Sequence, residues 1–591
     1  MPNLMTSKNV CFMIAMLIIT ASVYPSQYIK QVDVQFQQKI EARDGTALNV
    51  DVYKPANMTE ALPVLFAFTP YTTDSMFNNA LFFAKNGYVV VIGDVRGRGN
   101  SKGTFVPFEH DGKDGYDICQ WIARQPWCNG KIGMFGGSYV GMVQWLILRE
   151  MPEALKTVVP TATVGPGIDF PMLSNIFYTF NSQWLAFTLG KTLNMNTLAD
   201  YHYWNYVYAE LFSNHLPYSN LDEISGIGRD KNFQCWISHP TFDDYYKSFH
   251  PTAEEYSKFN LPILTITGHF DDDQPGTLNF YKSYMKSGNA EAREKCYFII
   301  GPWNHAGTRS PQNQYHHMSF GDNSVLNMNQ LHLEWFNWTL KDGAKPEFLK
   351  DNVASYEMGS NEWKYAESLA DLSRSERVYY LHSEKEKADN IIHSGMLDTE
   401  KPDDEPADSY IYNPLDTAGA LDKVQDELID FAWREEKEAS DPCKLIYHTK
   451  PLKESAVITG QVKLKAYISM DVPDTDFDAI VYEIRPDGKC LYLTSAVMRA
   501  RFRNSLEKED FVKPGEINLY HFRSFNFTSR KILKGSRLRL VIGALNSPYF
   551  QKNYNSGRAV SFETAKDART AHVKLRHDSD HPSCLILPLA K

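Results

Sequence analysis

No C-x-x-C pair occurs among the eight cysteines, no block of like charge is long enough to act as an interaction tail, and no internal repeat is evident. Nor does any apolar run reach the roughly 18 residues that a helix needs to cross a bilayer. Each absence removes a class. Without paired cysteine spacing a structural zinc site is not indicated. Without a charge block, nucleic acid is not an expected partner: the densest basic stretch, Arg96, Arg98 and Lys102, is a short glycine-interleaved loop. That loop, residues 93–103, also lacks both G-x-G-x-x-G and G-K-[ST], because Lys102 stands where a third glycine would fall, so it reads as a structural loop and not a phosphate cradle. Without a spanning run, no stable membrane anchor is expected.

What is present is an ordinary globular composition, 43% hydrophobic and 22% charged with a formal net charge of -10, over 591 residues. That length exceeds what one hydrophobic core supports, so two or three packed units are expected. The chain opens with Lys8, an apolar run over residues 10–19 and small or polar residues at 20–23, followed by Tyr24-Pro25-Ser26. A positive start, a short apolar run and a small-residue segment predict a signal peptide over residues 1–26 and an exported mature chain, periplasmic or secreted. Cys11 lies inside the apolar run, against a lipid-modified cysteine. Of the remaining cysteines, Cys119 and Cys128 are near enough in sequence for a local disulfide, and buried thiols are expected elsewhere.

Short aliphatic and β-branched runs alternate with helical segments, the pattern of an α/β fold with a mostly parallel, helix-covered sheet. A hairpin over 32–40 and 48–53, turning at Arg43-Asp44-Gly45, precedes runs at 64–68, 89–92, 132–135, 157–159, 263–267 and 297–300. The aromatic-rich interval 165–255, with Trp184, Trp204, Tyr208 and Trp236, interrupts this rhythm and predicts an inserted helical cap. The core is thus expected over 27–164 and 256–345. From residue 346 to 591 the pattern turns to strands and turns, predicting an all-β jelly-roll sandwich, with the charged stretch 385–408 as a solvated excursion.

One turn carries chemistry. In Gly136-Gly137-Ser138-Tyr139-Val140-Gly141 a strand runs into a glycine-flanked turn with serine at its tip and a helix behind, as in a nucleophile elbow, although the trailing glycine comes one place late for G-x-S-x-G. A serine nucleophile needs a base and an orienting carboxylate, which in α/β-hydrolases follow in that fold's order of serine, acid, histidine at strand ends. Asp271 follows the 263–267 run and His305 the 297–300 run. Asp272, Asp273, His269, His316 and His317 are neighbouring alternatives. The backbone N–H of Tyr139, directly after the nucleophile, is an oxyanion donor by geometry. No metal or organic cofactor is called for by such a set.

Together these segments resemble the CocE/NonD family of serine hydrolases. The matching stretches are Asp94-Val95-Arg96-Gly97-Arg98-Gly99, Gln125-Pro126-Trp127, the elbow itself, Gly268-His269-Phe270-Asp271, Gly301-Pro302-Trp303-Asn304-His305, and His239-Pro240-Thr241-Phe242-Asp243 in the cap; Asp474-Thr475-Asp476-Phe477 and Pro486-Asp487-Gly488 match in the β region. The late glycine is that family's own pattern, G-x-S-Y-x-G. The resemblance implies Ser138 as nucleophile, His305 as base, Asp271 as its orienter, and Tyr71 beside the Tyr139 amide as oxyanion donors. It also implies an acyl-enzyme route for a small ester or amide substrate. Where the family's amino-acid ester hydrolases bind the substrate ammonium with clustered acids, this chain has Asp273, lacks the next acid at Gln274, and has Asp169 as a further candidate. X-Pro dipeptidyl-peptidase activity is the alternative within the family, and a non-catalytic carbohydrate-binding jelly roll the alternative outside it. A homo-oligomer is compatible with the sequence.

Overall fold

The structure is a computed structural model that describes residues 31–383, 387–421 and 441–590. The expected signal peptide lies outside the described residues, as do the first residues of the charged stretch. Among the described residues no helix is long and apolar enough to cross a membrane.

Ten strands form the first sheet: β1 (Val32–Glu41), β2 (Ala47–Pro55), β3 (Leu62–Thr69), β4 (Val89–Asp94), β5 (Cys128–Ser138), β6 (Leu155–Thr163), β7 (Ile263–Phe270), β8 (Cys296–Asn304), β9 (Val353–Glu357) and β10 (Glu362–Ala366). Their order across the sheet is β1-β2-β4-β3-β5-β6-β7-β8-β9-β10. Strands β4 to β9 run parallel to their neighbours, whereas β2 is antiparallel to both β1 and β4, and β10 is antiparallel to β9. The hydrophobic runs explain the burial. Along β3, Val64, Phe66 and Phe68 enter one core while Leu65 and Ala67 enter the other; Val89 and Val91 of β4 separate from Val90 and Ile92 in the same way. Successive side chains of a strand point to opposite faces, so a continuous apolar run is what a sheet covered on both sides requires. Helices α1 (Phe77–Lys85), α2 (Asp111–Ala123) and α3 (Tyr139–Glu150) are among its covers.

Strands β9 and β10 correct the expected domain boundary. The sequence pattern places residues 353–366 in the all-β region, yet β9 pairs in parallel with β8 and belongs to the hydrolase sheet. The run from Val353 to Glu357 is buried throughout; a short buried strand does not declare which sheet it joins. The second, all-β network begins with Ser375–His382 and ends with Cys584–Leu589. The charged stretch is also less solvated than expected at its end. Asp408 is buried, accepting from Tyr447 Oη at 2.6 Å and lying 2.9 Å from His577 Nε2. Cys119 and Cys128 are free thiols, so the local disulfide is absent.

Between β6 and β7 the chain leaves the sheet and forms α4 (Phe180–Phe187), α5 (Tyr201–Ser213) and α6 (Lys231–Ile237). Trp184, Trp204, Tyr208 and Trp236 are buried there, while Tyr201, Tyr203 and Tyr206 stay on the surface. The loop after β4 ties this insertion to the sheet. Buried Arg98 donates to the carbonyls of Pro70 (2.8 Å) and Thr192 (3.0 Å) and, closer still, to those of Thr188 and Gly190. Burial draws its guanidinium down to about 10, short of neutralisation at physiological pH. One cation therefore satisfies carbonyls on both sides of the junction, so Arg98→Met should strand them without donors. We expect a loss of about 3 kcal/mol or more in urea unfolding; a midpoint equal to the wild type's would show that water replaces the guanidinium without cost.

Candidate active site

The elbow at the end of β5 has the backbone that the sequence anticipates. Ser138 sits at φ 63 and ψ -128, a region that non-glycine residues occupy only when the surroundings enforce it. Two glycines permit the turn. Gly136 has φ +137, and a Cβ there would lie 2.3 Å from Val140 Cγ1; a Cβ on Gly141 would lie 2.8 Å from the Thr161 carbonyl oxygen. The glycine displaced to position 141 is thus the one that lets α3 pass β6 closely. Because Tyr139 is the first residue of α3, its N–H has no partner four residues back and is available to an oxyanion.

Asp271 follows β7 directly and is fully buried. Its Oδ2 accepts from Thr267 Oγ1 at 2.7 Å, and its Oδ1 accepts from Asp273 N at 3.1 Å and lies 2.8 Å from His305 Nδ1. His305 follows β8, and its ring, like Ser138, lines a cavity of about 690 Å³. With Nδ1 engaged by a carboxylate, Nε2 is left as the basic nitrogen. Ser138 and the Tyr71 phenol line the same cavity, and no hydrogen bond joins the serine hydroxyl to His305 among the described residues. Free hydrolases commonly tighten that contact only around substrate.

Tyr71 receives a hydrogen bond from Trp184 Nε1 of the cap at 3.2 Å and stacks on Phe187. Burial raises its pKa, which keeps the phenol a donor. The ring of Tyr139 is fixed from the other side: its hydroxyl donates to Asp111 Oδ2 at 2.6 Å and accepts from Phe108 N at 2.8 Å, with Phe108 stacked on it. Asp111, at the start of α2, was not anticipated. In the sequence it resembles any acid in a first helical turn.

The acids proposed for ammonium binding part company. Asp273 reaches the cavity, with Oδ2 3.5 Å from His305 Nδ1. Burial, then the charges of Asp169 and Asp271, push its pKa well up. Asp169 also borders the cavity, but its two oxygens accept from Gly165 N (2.7 Å) and Gly276 N (2.5 Å), tying the loop after β6 to the first turn of α7 (Gln274–Ser287). Gln274 faces away from the cavity. Its amide donates to the carbonyls of Gly268 (2.9 Å) and Phe527 (3.0 Å) and accepts from Phe527 N (2.6 Å), so it pins the acid loop to the all-β domain. His269 packs at the same junction, 2.8 Å from the Tyr356 carbonyl, with burial holding its pKa down to about 4. It is no competitor of His305. Neither His316 nor His317 lines the cavity.

Fold and site define an α/β-hydrolase of the serine type with an inserted cap and an all-β C-terminal domain. Residues 44–307 match the X-Pro dipeptidyl-peptidase (S15) family, and residues 337–586 match the X-Pro dipeptidyl-peptidase C-terminal non-catalytic domain. Cocaine esterase of Rhodococcus sp. (strain MB1 Bresler) is 26% identical over 577 residues, spanning 93% of this chain and 98% of the esterase. Among solved structures, an α-amino acid ester hydrolase superposes with a TM-score of 0.81 at 18% identity, covering 96% of this chain and all of that one. An aminopeptidase of a marine sediment Thaumarchaeota archaeon superposes equally well, TM-score 0.81 at 20% identity, covering 95% and 97%. Together these likenesses mark the chain as a CocE/NonD-like serine hydrolase.

The Asp111 contact has a pH signature. Burial raises its carboxyl to about 7, so the folded state holds a proton that the unfolded chain releases near 4. Between those values the folded state binds more protons, and this group's contribution to stability falls as pH rises. Asp111→Asn removes that dependence. The variant should therefore gain on the wild type from pH 4 to pH 7, at a slope approaching about 1.4 kcal/mol per pH unit for one full proton; parallel urea-midpoint curves across that range would contradict the assignment.

Proposed function

We propose that the chain is an exported serine hydrolase that cleaves small esters or amides through an acyl-enzyme, with Ser138 as nucleophile, His305 as general base and then acid, and Asp271 holding the imidazole. The observation that carries this is the joint one: a serine at positive φ on the wall of a cavity shared with a histidine whose Nδ1 is 2.8 Å from a fully buried aspartate. His305 takes the Ser138 proton as Oγ attacks the acyl carbon. The oxyanion that forms is met by the Tyr139 N–H and the Tyr71 phenol, donors held in place before substrate arrives. His305 then protonates the leaving group, and a water activated by the same ring releases the acid. Export rests on the leader-like residues 1–26.

For the acyl group, Asp273 favours a substrate with a free α-amine. It is a cavity-facing carboxylate with no hydrogen-bond donor closer than His305 Nδ1 at 3.5 Å among the described residues. An α-amino-acid ester and an X-Pro peptide both present an ammonium there.

Two measurements test these roles. Ser138→Ala should lower kcat on p-nitrophenyl acetate by about 10⁴-fold or more and abolish fluorophosphonate labelling; full turnover by the variant would remove Ser138 from the mechanism. Glycine and phenylglycine methyl esters should surpass their des-amino analogues in kcat/KM by tenfold or more, a margin that Asp273→Asn erases; equal rates with and without the amine would exclude Asp273 as the ammonium site.

A further inference from the structure

The triad and its oxyanion donors leave the arginine of the cavity wall unused. Arg309 comes four residues after His305, behind the short turn Ala306–Thr308. Its side chain lies across Gly137: a Cβ on that glycine would stand 2.8 Å from Nη1 and 2.9 Å from Cδ. The residue before the nucleophile thus has no side chain, and the arginine occupies the space. Arg309 is exposed, and its side chain helps to form the cavity wall beside Ser138, His305 and Asp273.

Less exposed arginines of this protein are spoken for. Arg96, Arg499, Arg501 and Arg530 each meet a carboxylate at 2.7 to 2.8 Å. Arg309 makes no side-chain hydrogen bond and has no carboxylate within 4 Å among the described residues; Asp271 and Asp273 act on it only at longer range. A guanidinium carries five donors in a planar fork whose natural complement is a carboxylate bound through both oxygens. Placed at a reaction centre without such a partner, it is a receptor for one.

Resting on the serine-hydrolase reading, we propose that Arg309 is an anion subsite that binds a carboxylate carried by the substrate, next to the scissile acyl bond. With the acids of the same wall, Asp273 among them, it makes the cavity bipolar. The carboxylate can belong to the acyl group, as in a half-ester of a dicarboxylic acid, or to the leaving group, as in an ester of a hydroxy acid.

Two substrate pairs separate these sources: monomethyl against dimethyl succinate for the acyl side, and 3-acetoxybenzoate against its methyl ester for the leaving side. Each pair differs by one carboxylate. The wild-type enzyme should favour the anionic member of one pair by tenfold or more in kcat/KM, and Arg309→Gln should cut that preference at least tenfold, with Arg309→Lys between. A wild-type enzyme slower on the anionic member of both pairs overturns the proposal, whatever the variants do. So does an Arg309→Gln variant that loses equally on charged and neutral members, which would make Arg309 an internal counter-ion to Asp271 and Asp273. Fluorophosphonate labelling of Ser138 runs alongside: its absence in the wild type would defeat the serine-hydrolase reading itself, a failure distinct from that of the subsite.

Discussion

The carboxylate of Asp271 has no contact with solvent, and much of the architecture exists to make that tolerable. A buried anion is costly unless its lone pairs are satisfied, and here Thr267, the Asp273 N–H and His305 fill them. Those donors keep their places only if the segment after β7 is rigid. Gln274 supplies that rigidity by reaching across to Phe527 of the all-β domain, and His269 by its contact with the Tyr356 carbonyl of β9 in the same sheet. Among the described residues the all-β domain contributes no side chain to the wall of the cavity, but it holds the loop that carries Asp271. The role of such a domain here is mechanical: it removes freedom from a turn that would otherwise let the imidazole rotate.

The opposite wall is held by a cation. Arg98 joins the Pro70 carbonyl to three cap carbonyls, and the next residue, Tyr71, is gripped by Trp184 and Phe187 of that same cap. Tyr71 and the cap therefore form one body, and a rearrangement of the cap would reach its phenol directly. Arg98 and Arg309 differ in setting: the first is buried and saturated by backbone carbonyls, the second is exposed on the cavity wall with its donors unfilled by protein among the described residues.

Much of the site was legible because its chemistry is tied to local geometry. A serine elbow needs glycines at set offsets, and an acid and a base at strand ends need only the strands to be found. Gln274 was read as a missing acid, whereas it is a bolt between domains, since nothing in a sequence says that a residue two hundred and more positions away will come to meet it. Asp169 was read as a ligand group, whereas both its oxygens are engaged by backbone N–H groups. Asp111 and Arg309 gave no signal at all: an acid in a first helical turn and a cation after a short turn are common, and both gain meaning only from what lies opposite them in space.

Sequence alone determined the alternation of strand and helix, the buried parallel runs, the strained serine and the placing of Asp271 and His305 just past strand ends, because each is encoded in residues close together along the chain. Tertiary structure decided which sheet β9 and β10 join, which acids face the cavity, that two neighbouring cysteines stay apart as thiols, and that an arginine fills the space over Gly137. Those outcomes depend on side chains far apart in sequence competing for the same volume and the same hydrogen bonds, and only the folded chain resolves that competition.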